Sequence, residues 1–177
     1  MKTKPDAQPA PDRPARRAVY AGSFDPVTLG HLDVIRRACR LFDHVVVGVA
    51  QRPDKHPLFT PAQRVRLIRQ STRDLANLEV ETFRGLLVDF VQARQACAVV
   101  RGLRAVMDFD YEFQMALTNR KLAAHVETVF FVPSEKYFYL SSSLVRELAA
   151  VRGRLSCFVS EPVERALRAR FPRGKPA

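Results

Sequence analysis

A chain of 177 residues with 47% hydrophobic side chains holds enough apolar surface for one sizeable core and too little for two. No apolar run approaches the ~20 residues of a membrane-spanning helix, and the Pro-rich opening Met1–Arg17 lacks the apolar stretch of a secretory signal, so neither a membrane span nor a leader is expected. The formal net charge of +11 invites a nucleic-acid reading, but residues 1–17 carry five basic against two acidic side chains and residues 165–177 five against none, leaving +3 for the body.

Met1–Pro14 has no hydrophobic periodicity and reads as part of a disordered basic tail over 1–17. One domain is expected over 18–171, with a second basic tail at 172–177. It opens with an apolar strand, Ala18–Gly22, followed by a helix, His31–Phe42, whose Leu32, Ile35, Ala38, Cys39 and Phe42 recur at helical spacing. The next strand is Val45–Ala50. Thr60-Pro61-Ala62-Gln63 is a strong helix start, with an N-cap hydroxyl, a proline in the first turn and a glutamine to close a capping box; that helix should reach about Arg73. A strand at Leu78–Phe83 carries Glu81 and so reads as an edge. Then come helix Leu86–Gln95, strand Ala98–Arg101, helix Asp108–Leu122, strand Thr128–Val132, and helices Ser141–Val151 and Glu161–Phe171.

Most of these strands are unbroken apolar runs, the mark of parallel strands covered on both faces. Their alternation with helices predicts an α/β fold: a doubly wound, five-stranded parallel sheet. Cys39, Cys97 and Cys157 fall in apolar-periodic stretches without metal-ligand spacing and read as buried free thiols of a reducing cytoplasm. No metal-ligand set is found in the sequence.

Ligands of such sheets bind beyond the carboxyl ends of the strands, so the loops after strands one, two, four and five should carry the chemistry. The first runs Gly22-Ser23-Phe24-Asp25-Pro26-Val27-Thr28-Leu29-Gly30-His31 straight into a helix. Its glycines permit close backbone approach, the helix N-terminus offers N–H groups and a positive dipole end, and Ser23 and His31 add donors for a phosphate. The alternative is a plain turn with a helix-capping histidine. The second loop, Arg52-Pro53-Asp54-Lys55-His56-Pro57, is stiffened by prolines and offers Lys55 and His56. The fourth, Arg101-Gly102-Leu103-Arg104, places one guanidinium at the end of a buried strand and another three residues on; the pair suits bidentate phosphate binding, or Arg101 pairs structurally with Asp108 or Asp110. Glu112, Met115 and Asn119 share a face of the next helix. After the fifth strand, Ser141-Ser142-Ser143 heads a helix and serves as its cap or as a second anion site.

Taken together, these segments resemble a known family. Gly-Ser-Phe-Asp-Pro…Thr-x-Gly-His is similar to the T/H-x-G-H motif of the nucleotidyltransferase superfamily, with its Rossmann-like fold. Arg101-Gly102-Leu103-Arg104, Asp108-Phe109-Asp110-Tyr111-Glu112 and Ser141–Ser143 with Leu144-Val145 resemble the bacterial phosphopantetheine adenylyltransferases in particular, in matching order from about Ala18 to Phe171. The resemblance implies a cytoplasmic transferase of coenzyme A biosynthesis that moves AMP from ATP to 4′-phosphopantetheine, with Mg²⁺, as a homohexamer. It implies catalytic roles for His31, Lys55 and Arg104, and acceptor contacts from Ser23, Lys55, Leu87 and Arg101. ATP would be held by Ser23, Phe24, His31, Gly102, Leu103, Arg104, Glu112 and the stretch Tyr137, Phe138, Tyr139, Leu140, Ser141, Ser142, Ser143. Ser23 stands where relatives often have threonine. The basic residue that relatives commonly carry near Ala150 is missing, with Arg146 or Arg152 as substitutes. The competing readings are another small nucleotidyltransferase of the same fold, and an RNA-binding module. The second lacks an aromatic strand pattern of the RNA-recognition kind, so no nucleic-acid partner is expected.

Overall fold

The apolar runs pair into one sheet. The computed structural model describes residues 15–51, 57–103 and 106–172. Its strands are β1 (Arg17–Gly22), β2 (His44–Ala50), β3 (Leu78–Phe83), β4 (Ala98–Gly102) and β5 (Glu127–Phe131). The helices are α1 (Leu29–Leu41), α2 (Pro61–Ser71), α3 (Leu87–Ala93), α4 (Val106–Leu122), α5 (Ser142–Ala150) and α6 (Glu161–Arg170). All strand pairs are parallel, in the order β3-β2-β1-β4-β5. The chain thus walks from the centre to one edge, then returns to the far side of β1. The order reverses between β1 and β4, where a doubly wound sheet opens its crevice. β3 is an edge, as its glutamate predicts, and there Glu81 pairs with Arg94.

Both faces of the sheet are covered, which is why the strands read as unbroken apolar runs. Ala18, Tyr20, Val45, Val47 and Val49 join a layer with Ile35 of α1, Ile68 of α2, Val145 of α5 and Leu167 of α6. The alternate residues Val19, Ala21 and Val46 join Val88, Phe90 and Val91 of α3 in the opposite layer. Each fully buried valine contributes about 1.5–3 kcal/mol relative to an exposed one.

Gly48 of β2 lies under the Phe83–Phe90 ring stack, whose centroids are 4.6 Å apart. A Cβ at this position would stand 2.6 Å from Phe90 Cε1 and 3.1 Å from Phe83. Gly48→Ala should therefore cost about 1–3 kcal/mol as the rings are forced apart. Thermal unfolding should register a fall in Tm of about 2–4 °C for each kcal/mol; an unchanged Tm would mean that the stack yields freely.

Helix starts follow local chemistry. Thr60 caps α2 with the expected box: its Oγ1 accepts from Gln63 N at 3.2 Å, and Gln63 Oε1 accepts from Thr60 N at 2.8 Å. α1 begins at Leu29, two residues before the predicted start, because Thr28 is its N-cap. Ser141 caps α5, which begins at Ser142. The thiol expectation is corrected in part. Cys39 is half-buried, and burial pushes its thiol pKa up to about 11, but Cys97 and Cys157 are exposed. Both sit just outside regular elements, where apolar neighbours in sequence do not imply a buried face. The expected tails fall mostly outside the described residues. No helix among those described is long and apolar enough to cross a membrane.

Candidate active site

A cleft of about 1110 Å³ opens at the carboxyl ends of the strands. Its wall takes in Ser23 and Phe24 after β1, His31 in the first turn of α1, and Arg101 and Gly102 at the end of β4. Glu112, Met115 and Asn119 of α4 line it together, as their spacing predicts. Tyr137, Leu140 and Ser141–Ser143 close the side beyond β5. The loop after β3 also contributes, through Arg84, Gly85, Leu86 and Leu87, a fifth strand end where four were expected.

The turn after β1 is held in an uncommon conformation. Phe24 has φ of +48°, in the left-handed region, a conformation costing on the order of 1–3 kcal/mol for a non-glycine residue. Packing offsets it: the ring is 3% exposed, edge-on to Tyr20 at 5.3 Å and to His31 at 5.1 Å. Gly22 makes room for this fold-back, since a Cβ there would lie 3.1 Å from the ring. Asp25 then ties the turn to the segment after β2: its buried carboxylate accepts from Leu58 N at 2.7 Å and Phe59 N at 2.9 Å. Ser142 Oγ donates to Pro26 O at 2.8 Å, and Arg146 Nη1 donates to Asp25 O at 2.5 Å, which ties it to the start of α5.

His31 is both cap and wall. Thr28 N donates to His31 Nδ1 at 3.1 Å, and Thr28 Oγ1 lies 3.0 Å from the same atom. A ring nitrogen that accepts from an amide N–H carries no proton, so the neutral ring has its proton on Nε2. The capping box therefore sets the tautomer and makes Nε2 a donor. Cap and phosphate donor, posed as alternatives from sequence, are compatible in one side chain.

Arg101 does meet an anion, Glu112, which sequence reasoning did not name as its partner; the Asp108 side chain lies outside what is described. Nε donates to Oε2 at 2.6 Å and Nη2 to Oε1 at 2.5 Å, while Nη1 donates to Ala21 O at 3.0 Å. Burial disfavours the guanidinium's charge, yet hydrogen bonding and the Glu112 charge outweigh it and its pKa is raised. Among the described residues, three of its five N–H groups find partners. Glu112 is correspondingly engaged at both oxygens. The eleven-residue separation, across a strand end and a helix turn, hid this pair from sequence reasoning.

The serine run divides its work. Ser141 Oγ accepts from Leu144 N at 3.1 Å as the cap, Ser142 holds Pro26, and Ser143 Oγ accepts from Arg146 Nη2 at 3.2 Å. Asp33 of α1 fixes the approach to this run, accepting from Ser134 Oγ at 3.0 Å, and Arg37 donates to Val132 O at 2.6 Å. Of the two substitutes for a basic residue near Ala150, Arg146 lines the cleft, whereas Arg152 donates to Pro172 O away from it. Phe138 and Tyr139 face solvent, 48% and 65% exposed, and neither they nor Leu103 is on the cleft wall. Lys55, His56 and Arg104 lie outside the described residues. Sequence reasoning assigned no part to Asp25 or to Arg64, a buried arginine of α2; each bears an ordinary local signal, and only the fold brings them to the cleft floor.

A parallel sheet with a cleft at its switch point, entered by a G-S-F-D-P…H turn, is the arrangement that the resemblance to the nucleotidyltransferases implies. Residues 19–148 match the cytidylyltransferase-like family model, so the chain belongs to that class. Its fold is shared by a crystal structure ascribed to a nicotinate-nucleotide adenylyltransferase from Vibrio parahaemolyticus, with a TM-score of 0.67 and 18% identity over 90% of this chain and 97% of that one. The phosphopantetheine adenylyltransferase of Thioalkalivibrio sulfidiphilus is 55% identical over 154 residues, 87% of this chain and 97% of the relative. That of Thermodesulfovibrio yellowstonii is 52% identical over 157 residues, 88% and 98%. The chain is a member of the phosphopantetheine adenylyltransferase family.

Proposed function

We infer that this chain transfers the adenylyl group of ATP to 4′-phosphopantetheine, forming dephospho-coenzyme A and pyrophosphate. The observation that carries the reading is that His31 and Arg101, from separate crossovers, line one cleft at the switch point between β1 and β4. The acceptor phosphate, with a second pKa of ~6, is largely dianionic at pH 7 and needs no general base. The obstacle is repulsion between it and the nucleotide's phosphates, and transfer of this type depends on positioning and charge. In-line attack on the α-phosphorus is served by His31 Nε2–H, by the positive dipole end of α1, and by Ser23. Arg101 and Leu87 hold the acceptor. Gly102, Glu112, Tyr137 and the start of α5, with Arg146 in the place of the missing basic residue, hold ATP. Lys55 and Arg104 complete the cationic set on the strength of the family resemblance.

The divalent ion that nucleotidyl transfer generally uses is assigned as Mg²⁺ and as part of the nucleotide. Asp25 and Glu112, the acidic side chains on the cleft wall, are engaged with protein donors, and no group of three His, Cys, Asp or Glu stands together among the described residues. Mg²⁺ keeps several waters and takes phosphate oxygens readily, which suits an ion delivered with ATP. The homohexamer is supported by α4, where Tyr111, Leu117 and the stacked Phe109 and Phe113 are about half exposed and offer an apolar surface for other copies. We place the reaction in the cytoplasm.

Pyrophosphate release tests the assignment. It should require ATP and 4′-phosphopantetheine together, with nicotinamide mononucleotide and polyol phosphates failing as acceptors. Release that is independent of 4′-phosphopantetheine, or equal with nicotinamide mononucleotide, overturns it.

A further inference from the structure

We propose that Arg64 is a positioning residue for the transfer reaction, setting the direction of the Ser23–Phe24 peptide and, through Phe24, the place of the His31 ring. Arg64 lies in the second turn of α2 and is 3% exposed. Its Nη1 donates to Ser23 O at 2.6 Å and to Ala50 O at 3.3 Å, so one guanidinium grips the chain at the carboxyl ends of two neighbouring strands. It forms no ion pair within 4 Å among the described residues, and its Nε is buried without a hydrogen-bond partner. Burial pushes its pKa down, against the favourable influence of Asp25. A buried cation that serves only carbonyl oxygens is a costly way to stabilise a fold, because an apolar side chain of similar size commonly does as well.

What the arrangement achieves is geometric. The Ser23–Phe24 peptide is planar and trans, so anchoring Ser23 C=O toward α2 fixes the Phe24 N–H on the opposite edge of the same plane. It also holds Phe24 at φ of +48°, and with it the ring that packs edge-on against His31 at 5.1 Å. Arg64 thus acts on His31 through two covalently linked residues and one ring contact, without touching substrate. A displacement of about 1 Å at reacting groups can cost about 10²-fold in rate.

The inference rests on the reading of Ser23, Phe24 and His31 given above. Steady-state kinetics of Arg64→Met and Arg64→Lys, with Arg69→Met and His31→Ala in parallel, test it. Arg69, on the same helix, donates to Val80 O at 2.6 Å away from the cleft and controls for the loss of a carbonyl clamp as such. Arg64→Met should lose about 10–100-fold in kcat, with both KM values within about threefold of wild type. Arg64→Lys, which keeps a charge and can reach one carbonyl, should recover part of the loss. Arg69→Met should keep its kcat. Circular dichroism establishes that each chain is folded, and should Arg64→Met not fold, Arg64→Lys alone decides, with a kcat reduced at unchanged KM. A folded Arg64 variant with wild-type kcat overturns the proposal, as does a loss confined to KM, which makes Arg64 a direct ligand. If His31→Ala is fully active, it is the reading of the site that fails instead.

Discussion

Replacing His31 by alanine should lower kcat by about 10²–10³-fold while affinity for ATP changes by no more than about threefold, the signature of a donor used mainly in the transition state. The same substitution opens the capping box that His31 closes with Thr28, a loss of about 0.5–2 kcal/mol. His31→Gln separates the two effects. A glutamine oxygen can accept the N-cap N–H, as Gln63 does in α2, so Tm should return toward wild type while kcat stays low. Rapid-quench turnover and thermal unfolding measure the pair. An alanine variant within about threefold of wild-type kcat would remove the imidazole from the chemistry.

Arg101→Met should raise KM for 4′-phosphopantetheine by about 10²-fold and that for ATP much less, since truncating a charged partner at a desolvated contact costs 2–5 kcal/mol. It also strands Glu112, whose side chain is only 12% exposed, and breaking such a pair destabilises by about 3–5 kcal/mol at full burial and less here. The double variant Arg101→Met with Glu112→Gln removes the stranded charge. It should recover stability without recovering acceptor affinity. Titration calorimetry with each substrate is the measurement, and equal losses for ATP and acceptor would refute the assignment of Arg101.

How much of this was legible in the sequence depended on the range of the interaction. Strands buried on both faces announce themselves as apolar runs, and Thr60 with Gln63 is a cap that needs only three residues of context. The clustering of strand-end loops was legible too, because a doubly wound sheet leaves few places for a ligand. Pairing between elements was not. Arg101 and Glu112 are brought together by the angle at which α4 leaves β4, and sequence offered only the nearer aspartates, Asp108 and Asp110, as structural partners. Arg64 sits in a helix rich in arginine, with nothing local to mark it as the one turned inward. Serines 141 to 143 look equivalent on paper, and only the position of Pro26 and the first turn of α5 sorts them into cap, tether and exposed hydroxyl. Exposure of Cys97 and Cys157 likewise depends on where regular structure stops.

The position of β1 bears on how the molecule is made. β1 is flanked by β2, its neighbour in sequence, and by β4, whose Ala98 pairs with Ala18 eighty positions earlier. A chain leaving the ribosome can assemble β1, β2 and β3 early, but one margin of β1 then stays bare until translation has passed Gly102. Such a margin is an adhesive template for other strands. The crevice has no second wall before then, so half-synthesised chains are inactive and at their stickiest together, and the interval closes only when β4 docks.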